Sequence, residues 1–272
     1  MNGPSRTSVR DGLGPPLIVR VVASVAVLLL LLPLAGLVVR APWRDALDVL
    51  SRPEVAAALR ISLVASVASL LLSTVLGVPL ALVLARGRAG WLRWVRALVL
   101  LPMLLPPVVG GVALLAAFGR RGLVGAPLDR IAGLTIPFSG VAVVVAATFV
   151  AMPFLVLAVE GGLRQLDGRL EEAAATLGAS RMTILRRVVL PELAPTLGAG
   201  MALAWARALG EFGATITFAG NLPERTQTLP LLVFLELERD PAAAFLLSIV
   251  MLAISVVVLA SLRGRWVGGL RR

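Results

Sequence analysis

Six long runs of apolar residues, separated by short segments that carry arginine, dominate this sequence. A helix needs about 20 apolar residues to cross the hydrocarbon core of a membrane, and each run is close to that length. Hydrophobic residues make up 58% of the chain, against roughly half in a soluble domain. The pattern predicts an all-α integral membrane protein with six transmembrane helices, at residues 21–39, 61–85, 97–118, 139–159, 196–220 and 242–262.

The first apolar run follows a basic segment, residues 1–20, as the core of a cleaved signal peptide would. However, the run at 21–39 is longer than the roughly 7–15 residues of such a core, and no clear cleavage site follows it. The pattern favours a retained transmembrane helix, with cleavage as the alternative.

The third run contains several helix breakers, namely Pro102, Pro106, Pro107 and Gly110. A proline inside a helix removes one backbone hydrogen bond and clashes with the preceding turn, so this span cannot be a smooth helix. Broken backbone at membrane depth is tolerated only where protein or a water-filled path covers it. The run is therefore either a pore-lining element or a kink that serves packing.

All 26 basic residues are arginine, and their placement predicts the orientation of the chain. With a cytoplasmic N-terminus, sixteen arginines fall on the cytoplasmic side and nine on the outer side. Because basic residues favour cytoplasmic loops, we expect cytoplasmic tails at residues 1–20 and 263–272 of a plasma membrane protein. Residues 160–193 then also face the cytoplasm. Membrane topology accounts for the net charge of +11, so we expect no nucleic acid partner.

Lysine, histidine, cysteine and tyrosine are absent from the chain. A phosphate-binding P-loop requires its lysine, so the chain does not hydrolyse ATP by that route, and an ATPase that drives it must be another polypeptide. Without thiolate or imidazole ligands we expect no metal site, no bound cofactor and no catalytic residue. Glu211 is the only acid that the six runs place at membrane depth.

A polar segment between the fourth and fifth runs has an ordered pattern. Its spacing is Glu172-Ala173-Ala174, three residues, Gly178, nine residues, then Val188-x-Leu190-Pro191. We expect a first helix from about Gly168 to Leu177 and a sharp turn at Gly178. We expect a second helix, capped by Ser180, that ends near Leu190; Pro191 and Pro195 then mark the return to the membrane. The alternative is an amphipathic loop that lies on the membrane surface.

This spacing resembles the cytoplasmic EAA loop of the membrane subunits of bacterial ABC importers, with Val188 where isoleucine is usual. In that family the loop docks in a cleft of the ATP-hydrolysing subunit. The resemblance implies an ATPase-coupling set, which comprises Glu171, Glu172, Ala173, Ala174, Leu177, Gly178, Ala179, Leu190 and Pro191.

Two charged residues, Arg207 and Glu211, lie inside the fifth run. Each costs roughly 2.5–3.5 kcal/mol at membrane depth, and such residues are a functional hypothesis by default. Their spacing places them one turn apart on a helix, where they can neutralise each other. Either this face lines the translocation path or the pair only fixes helix packing. The candidates for the path are Arg207, Gly210, Glu211, Gly213, Thr215, Pro106, Pro107 and Gly110.

The stretches 207–218 and 220–230, together with 101–109 and 119–122, resemble the permease subunits of molybdate ABC importers. Sulfate permeases share the Gly210-Glu211-Phe212-Gly213 segment, and tungstate remains an alternative cargo. The resemblance implies a type I (MetI-like) permease fold, with residues 60–262 as the transmembrane domain and 160–193 as its coupling loop. It also implies a homodimer, two ATPase subunits that bind ATP-Mg, and a periplasmic or lipid-anchored binding protein. A channel or ion-coupled carrier without an ATPase is the alternative from another class.

Overall fold

A computed structural model describes the backbone of residues 16–269 and the side chains of residues 16–258 and 260. This part of the chain is helical and contains no strand. Most of the predicted tail arginines, among them Arg6, Arg10 and Arg272, lie outside the described residues. The helices are α1 Leu17–Arg40, α2 Ala46–Leu50, α3 Pro53–Arg86, α4 Leu92–Leu104, α5 Pro107–Phe118, α6 Gly125–Ala132, α7 Gly140–Gln165, α8 Gly168–Thr176, α9 Arg181–Ile184, α10 Leu190–Leu209, α11 Gly213–Phe218, α12 Leu229–Arg239 and α13 Pro241–Gly269.

Five helices in the described residues are long and apolar enough to span a membrane by themselves: α1, α3, α7, the continuous helix Arg181–Leu209, and α13 up to Val258. A sixth span requires α4 and α5 to be counted together, although they are bent by 120° at Leu105 and Pro106. The predicted break in the third run is thus confirmed. The bend is sharp because Pro106 and Pro107 both lack the backbone N–H that a continuous helix would need.

The core is formed by α3, α7 and α10. Helix α3 carries four buried serines, Ser62, Ser66, Ser69 and Ser73, at helical spacing in line with Gly77, where an added Cβ would lie 3.2 Å from Val156 of α7. Glycines allow α7 and α10 to approach closely, since a Cβ added at Gly200 would lie 2.8 Å from the Cβ of Ala158. Small residues of this kind are typical of helix contacts inside membranes. By contrast, α1 buries none of its residues and packs against the outside of the bundle at α13.

Several boundaries differ from the sequence prediction. The helix that was expected at 61–85 begins earlier, at Pro53, where a proline at the first helical position is well tolerated. The predicted fifth span at 196–220 is wrong in extent: the helix begins at Arg181, ends at Leu209 and is followed by the short helix α11. Three helices in the segments between the predicted spans, α2, α6 and α12, were not predicted.

The helix α12 is fixed to α3 at both of its ends. Ser62 Oγ accepts a hydrogen bond from the backbone N–H of Leu229 (2.7 Å), the first residue of α12. Arg52 contacts Glu236 and Asp240, the latter at 3.1 Å. The backbone N–H of Ala243 donates to Asp240, and this bond, together with Arg52, lowers the pKa of the Asp240 carboxyl.

Candidate functional sites: a docking helix and a cavity at a broken span

The polar segment between α7 and α10 folds as a helix–turn–helix. The side chain of Asp167 caps α8 by accepting from the backbone N–H of Arg169. Gly178 has a φ of +82°, in the left-handed region where glycine is favoured. Around it, the N–H of Gly178 donates to Ala175 and that of Ala179 to Ala174, the two-bond arrangement that closes many helix C-termini. The predicted turn at Gly178 is confirmed.

Ser180 begins the second helix, as predicted, because its Oγ accepts from the backbone N–H of Thr183 at 3.2 Å. The prediction that this helix ends near Leu190 is wrong. A wider π-helical turn, Leu185–Val189, joins α9 to α10, and the helix continues through Pro191 and Pro195. In an α-helix, a proline ring clashes with the carbonyl four residues earlier. For Pro191 this is the carbonyl of Arg187, which lies inside the wider turn. The π turn therefore explains why the helix continues.

The predicted coupling residues divide between two faces of this unit. The exposed face carries Glu172, Ala173, Leu177 and Gly178, and Leu177 is 89% exposed. The opposite face turns inward: Ala174 and Ala179 pack against the bundle core, and Glu171 contacts Arg86 at 2.7 Å. Leu190 and Pro191 lie farther along, within the continuous helix. The exposed face consists mostly of small side chains, so another protein can approach it closely.

A second site lies where α10 ends. Arg207 and Glu211 form the predicted ion pair, with 2.9 Å between Nη2 and Oε2, although the N–H is not aligned for a hydrogen bond. The expectation that both residues share one helix face is wrong, since α10 stops at Leu209 and Glu211 lies beyond it. Glu211 is 2% exposed, and its Oε1 accepts from the backbone N–H of Ala214 at 2.8 Å. Glu211 thus joins the end of α10 to the start of α11.

A cavity of about 140 Å³ lies beside this joint. Arg207 is its charged lining residue, and Pro107 and Gly110 of the predicted path set also line it. The remaining lining residues, from α4, α7 and the bend, are Pro102, Met103, Leu105, Phe149, Val150 and Phe154. The cavity therefore offers one guanidinium group within a largely apolar wall.

The other predicted path residues do not line the cavity. Gly213 packs against Pro107 so closely that an added Cβ would lie 2.4 Å from the Cβ of the proline. Thr215 is buried, and its hydroxyl has no hydrogen-bond partner among the described residues. Pro106 precedes α5, and Gly210 is exposed at the end of α10. The two broken spans, α4–α5 and α10–α11, thus meet at one place.

Sequence reasoning missed a second buried acid. Glu160 of α7 is 4% exposed, and its Oε1 accepts from Arg96 Nε and Arg164 Nη2, both at 2.8 Å. The sequence carried a signal, because Glu160 and Arg164 are four residues apart at the end of an apolar run. The contact of Arg96 with Glu160 joins two helices that are far apart in the sequence, so no local pattern predicts it. No group of three or more potential metal ligands occurs in the part of the chain that the structure describes.

A family model described as "Binding-protein-dependent transport system inner membrane component" matches residues 77–265. The chain belongs to this family. It is thus the inner membrane component of a transport system that depends on a binding protein. The chain is a multi-pass membrane protein and acts as a transport subunit rather than as an enzyme.

Two named relatives of this inner membrane component are permease proteins. The chain is 46% identical to the "Molybdenum transport system permease protein ModB" of Mycobacterium tuberculosis, over 86% of this chain and 88% of the relative. It is 38% identical to the "Sulfate transport system permease protein CysT" of Salmonella typhimurium, over 86% of each chain.

Two solved structures share the fold of this inner membrane component. A bacterial ABC transporter for the import of alginate matches with a TM-score of 0.73 and 18% identity, over 92% of this chain and 94% of the other. The MetNI methionine ABC transporter matches with a TM-score of 0.62 and 21% identity, over 79% of this chain and 95% of the other. These likenesses confirm the predicted MetI-like permease fold.

Proposed function

We propose that this chain is the permease subunit of an ATP-driven ABC importer that carries molybdate across the bacterial plasma membrane. The observation that carries the proposal is the 46% identity to a permease named for molybdenum transport, over 86% of the chain. Identity to the sulfate permease is lower, at 38% over the same share, which supports sulfate as the second candidate. Tungstate, close to molybdate in size and charge, is expected to share the route.

The working assembly in this proposal contains two copies of the chain, two ATPase subunits that bind ATP-Mg, and a periplasmic or lipid-anchored binding protein. The exposed face of α8 and the turn after it docks on the ATPase. Its small side chains permit close approach, and the exposed Leu177 supplies an apolar anchor. The chain itself binds no cofactor. Both termini and α8 face the cytoplasm, in keeping with the arginine bias.

The cavity at Arg207 belongs to the translocation path in this proposal. Its volume of about 140 Å³ is enough for several water molecules, and a tetrahedral oxyanion has four oxygens around one centre. The side chain of Arg207 is 29% exposed, whereas that of its partner Glu211 is 2% exposed. The anion thus meets the guanidinium group first, while the carboxylate behind it weakens the attraction. A site of this kind attracts an anion and still releases it.

The proposal is tested in proteoliposomes that contain the complete complex and enclose ATP-Mg. Uptake of labelled molybdate is measured with the binding protein outside, in competition with unlabelled tungstate or sulfate. We expect uptake that requires ATP and the binding protein, strong competition by tungstate and weak competition by sulfate. With a sulfate permease, sulfate would compete strongly and tungstate weakly. A channel or ion-coupled carrier would take up the anion without ATP. Either result contradicts the proposal.

A further inference from the structure

On its inward side the docking helix α8 packs Ala174 against the bundle core and forms an ion pair with α3. Arg86, the last residue of α3, contacts Glu171 in the first turn of α8, with 2.7 Å between Nη2 and Oε1. This is the only side-chain hydrogen bond that joins α8 to α3 within the described residues. Since α8 buries none of its own residues, the pair is the most direct link between this helix and α3.

The same end of α3 is also tied to α4. Arg96 of α4 donates through Nη2 to the carbonyl oxygen of Leu84 at 3.0 Å. This carbonyl is one of the last four of α3, which have no partner within the helix. The same guanidinium group donates through Nε to the buried Glu160 of α7. The base of α4 is thereby fixed to both α3 and α7.

The far end of α4 reaches the Arg207 cavity. The helix has 13 residues and is therefore about 20 Å long, at ~1.5 Å per residue. Its last turn contributes Pro102 and Met103 to the cavity wall, and Leu105 follows at the bend. One short helix thus runs from the arginine–carboxylate contacts near α8 to the wall of the cavity.

We infer that the terminal turn of α3, Leu84–Arg86, relays movement of the docking helix to the cavity. A pull on α8 passes through the Glu171–Arg86 pair to this turn, then through the Leu84–Arg96 bond to α4, whose far end moves the cavity wall. Arg86 and Glu171 act as positioning residues in this relay, through their contact with each other on the inward side of α8. The inference rests on the proposed function, because it supposes that an ATPase pulls on α8. Coupling between distant sites requires direct evidence, which a charge exchange can supply.

The absence of cysteine from the chain allows the relay to be followed with one thiol, Met103→Cys, at the cavity end of α4. The complete complex carrying this substitution is labelled with a water-soluble maleimide, in the presence and in the absence of ATP-Mg. The labelling rate is then compared among variants that also carry Met103→Cys. These variants are Arg86→Glu, Glu171→Arg, the exchange Arg86→Glu/Glu171→Arg, and the matched control Arg88→Glu. Arg88 is exposed and lies two residues after Arg86, in the segment that connects α3 to α4. Because exposed ion pairs contribute little to stability, co-purification of the ATPase and its basal activity are expected to persist in Arg86→Glu and in Arg88→Glu, neither of which alters a residue of the predicted coupling set.

We expect ATP-Mg to change the labelling rate at Met103→Cys several-fold in the parent protein and in Arg88→Glu. This effect of ATP-Mg should be small or absent in Arg86→Glu and in Glu171→Arg, and it should return in the exchange variant. An equal response to ATP-Mg in all variants, no response in the parent, or no recovery in the exchange variant would each overturn the relay. Molybdate uptake measured on the same preparations tests the proposed function separately, since labelling at Met103→Cys does not depend on the cargo.

Discussion

Glu211 illustrates how one carboxylate can serve two contacts at a break in a span. One oxygen lies 2.9 Å from Arg207, and the other accepts from the N–H of Ala214 in the first turn of the next helix. The short helix α11 needs such an acceptor because the first N–H groups of a helix have no partner of their own. The pair was predictable from the four-residue spacing. The second contact was not, because nothing local in the sequence shows that α10 stops at Leu209.

The two contacts of Glu211 can be separated by substitution. Glu211→Gln keeps an oxygen for Ala214 and removes the charge, so Arg207 loses its partner. We expect Glu211→Gln and Arg207→Ala each to lower thermal stability, since a partly buried charge is then unpaired. The double variant Arg207→Ala/Glu211→Gln should regain stability because both charges are gone.

Uptake distinguishes the two functions considered for Arg207. If the guanidinium group guides the anion, the double variant recovers its melting temperature but not its rate of molybdate uptake, and this is the outcome we expect. Recovery of both quantities would show that the pair only stabilises packing. Thermal unfolding of the purified complex and uptake into proteoliposomes are the two measurements.

At the scale of elements, the segment between α7 and α10 shows what sequence patterns resolve. Gly178 and Ser180 act through backbone geometry and capping within a few residues, and both features were predicted correctly. The end of the second helix was not, because Pro191 normally indicates a break and no sequence rule predicts that a π turn will accommodate it. For a similar reason α12 was missed, since its first N–H depends on Ser62, more than 160 residues away in the chain.

The exposed face of α8 makes Glu172 the most informative single change in this element. We expect Glu172→Lys to lower molybdate uptake at least several-fold, because the substitution reverses a charge at the proposed contact with the ATPase. Glu172 is exposed, so membrane insertion and thermal stability should be unchanged. Co-purification of the ATPase is the direct measurement. Normal co-purification together with normal uptake would remove this face from the docking surface.

At the scale of the whole molecule, the apolar runs predicted the membrane class and the number of spans, with α4 and α5 counted as one. What they did not reveal is how the runs meet. The cavity brings together Pro107 and Arg207, which are 100 positions apart, and the contact of Arg96 with Glu160 also joins distant helices. Such long-range pairs depend on packing, and a single sequence contains no local trace of them.

The orientation of the molecule is a separate prediction. Leu123 and Leu177 are 86% and 89% exposed and lie on either side of the 26-residue helix α7, so they face opposite sides of the membrane. We expect a membrane-impermeant maleimide to label Leu177→Cys only in inside-out vesicles. Leu123→Cys should be labelled only in right-side-out vesicles or intact cells. The opposite pattern would place α8 beyond the reach of a cytoplasmic ATPase and would contradict the arginine bias.

The serine face of α3 has a mechanical consequence. Two of its hydroxyl groups, on Ser69 and Ser73, have no hydrogen-bond partner in the described part of the chain. Short side chains allow two helices to approach closely without large interlocking groups between them. The contact between α3 and α7 therefore suits a shear movement of small amplitude, in which no hydrogen bond from Ser69 or Ser73 has to be broken.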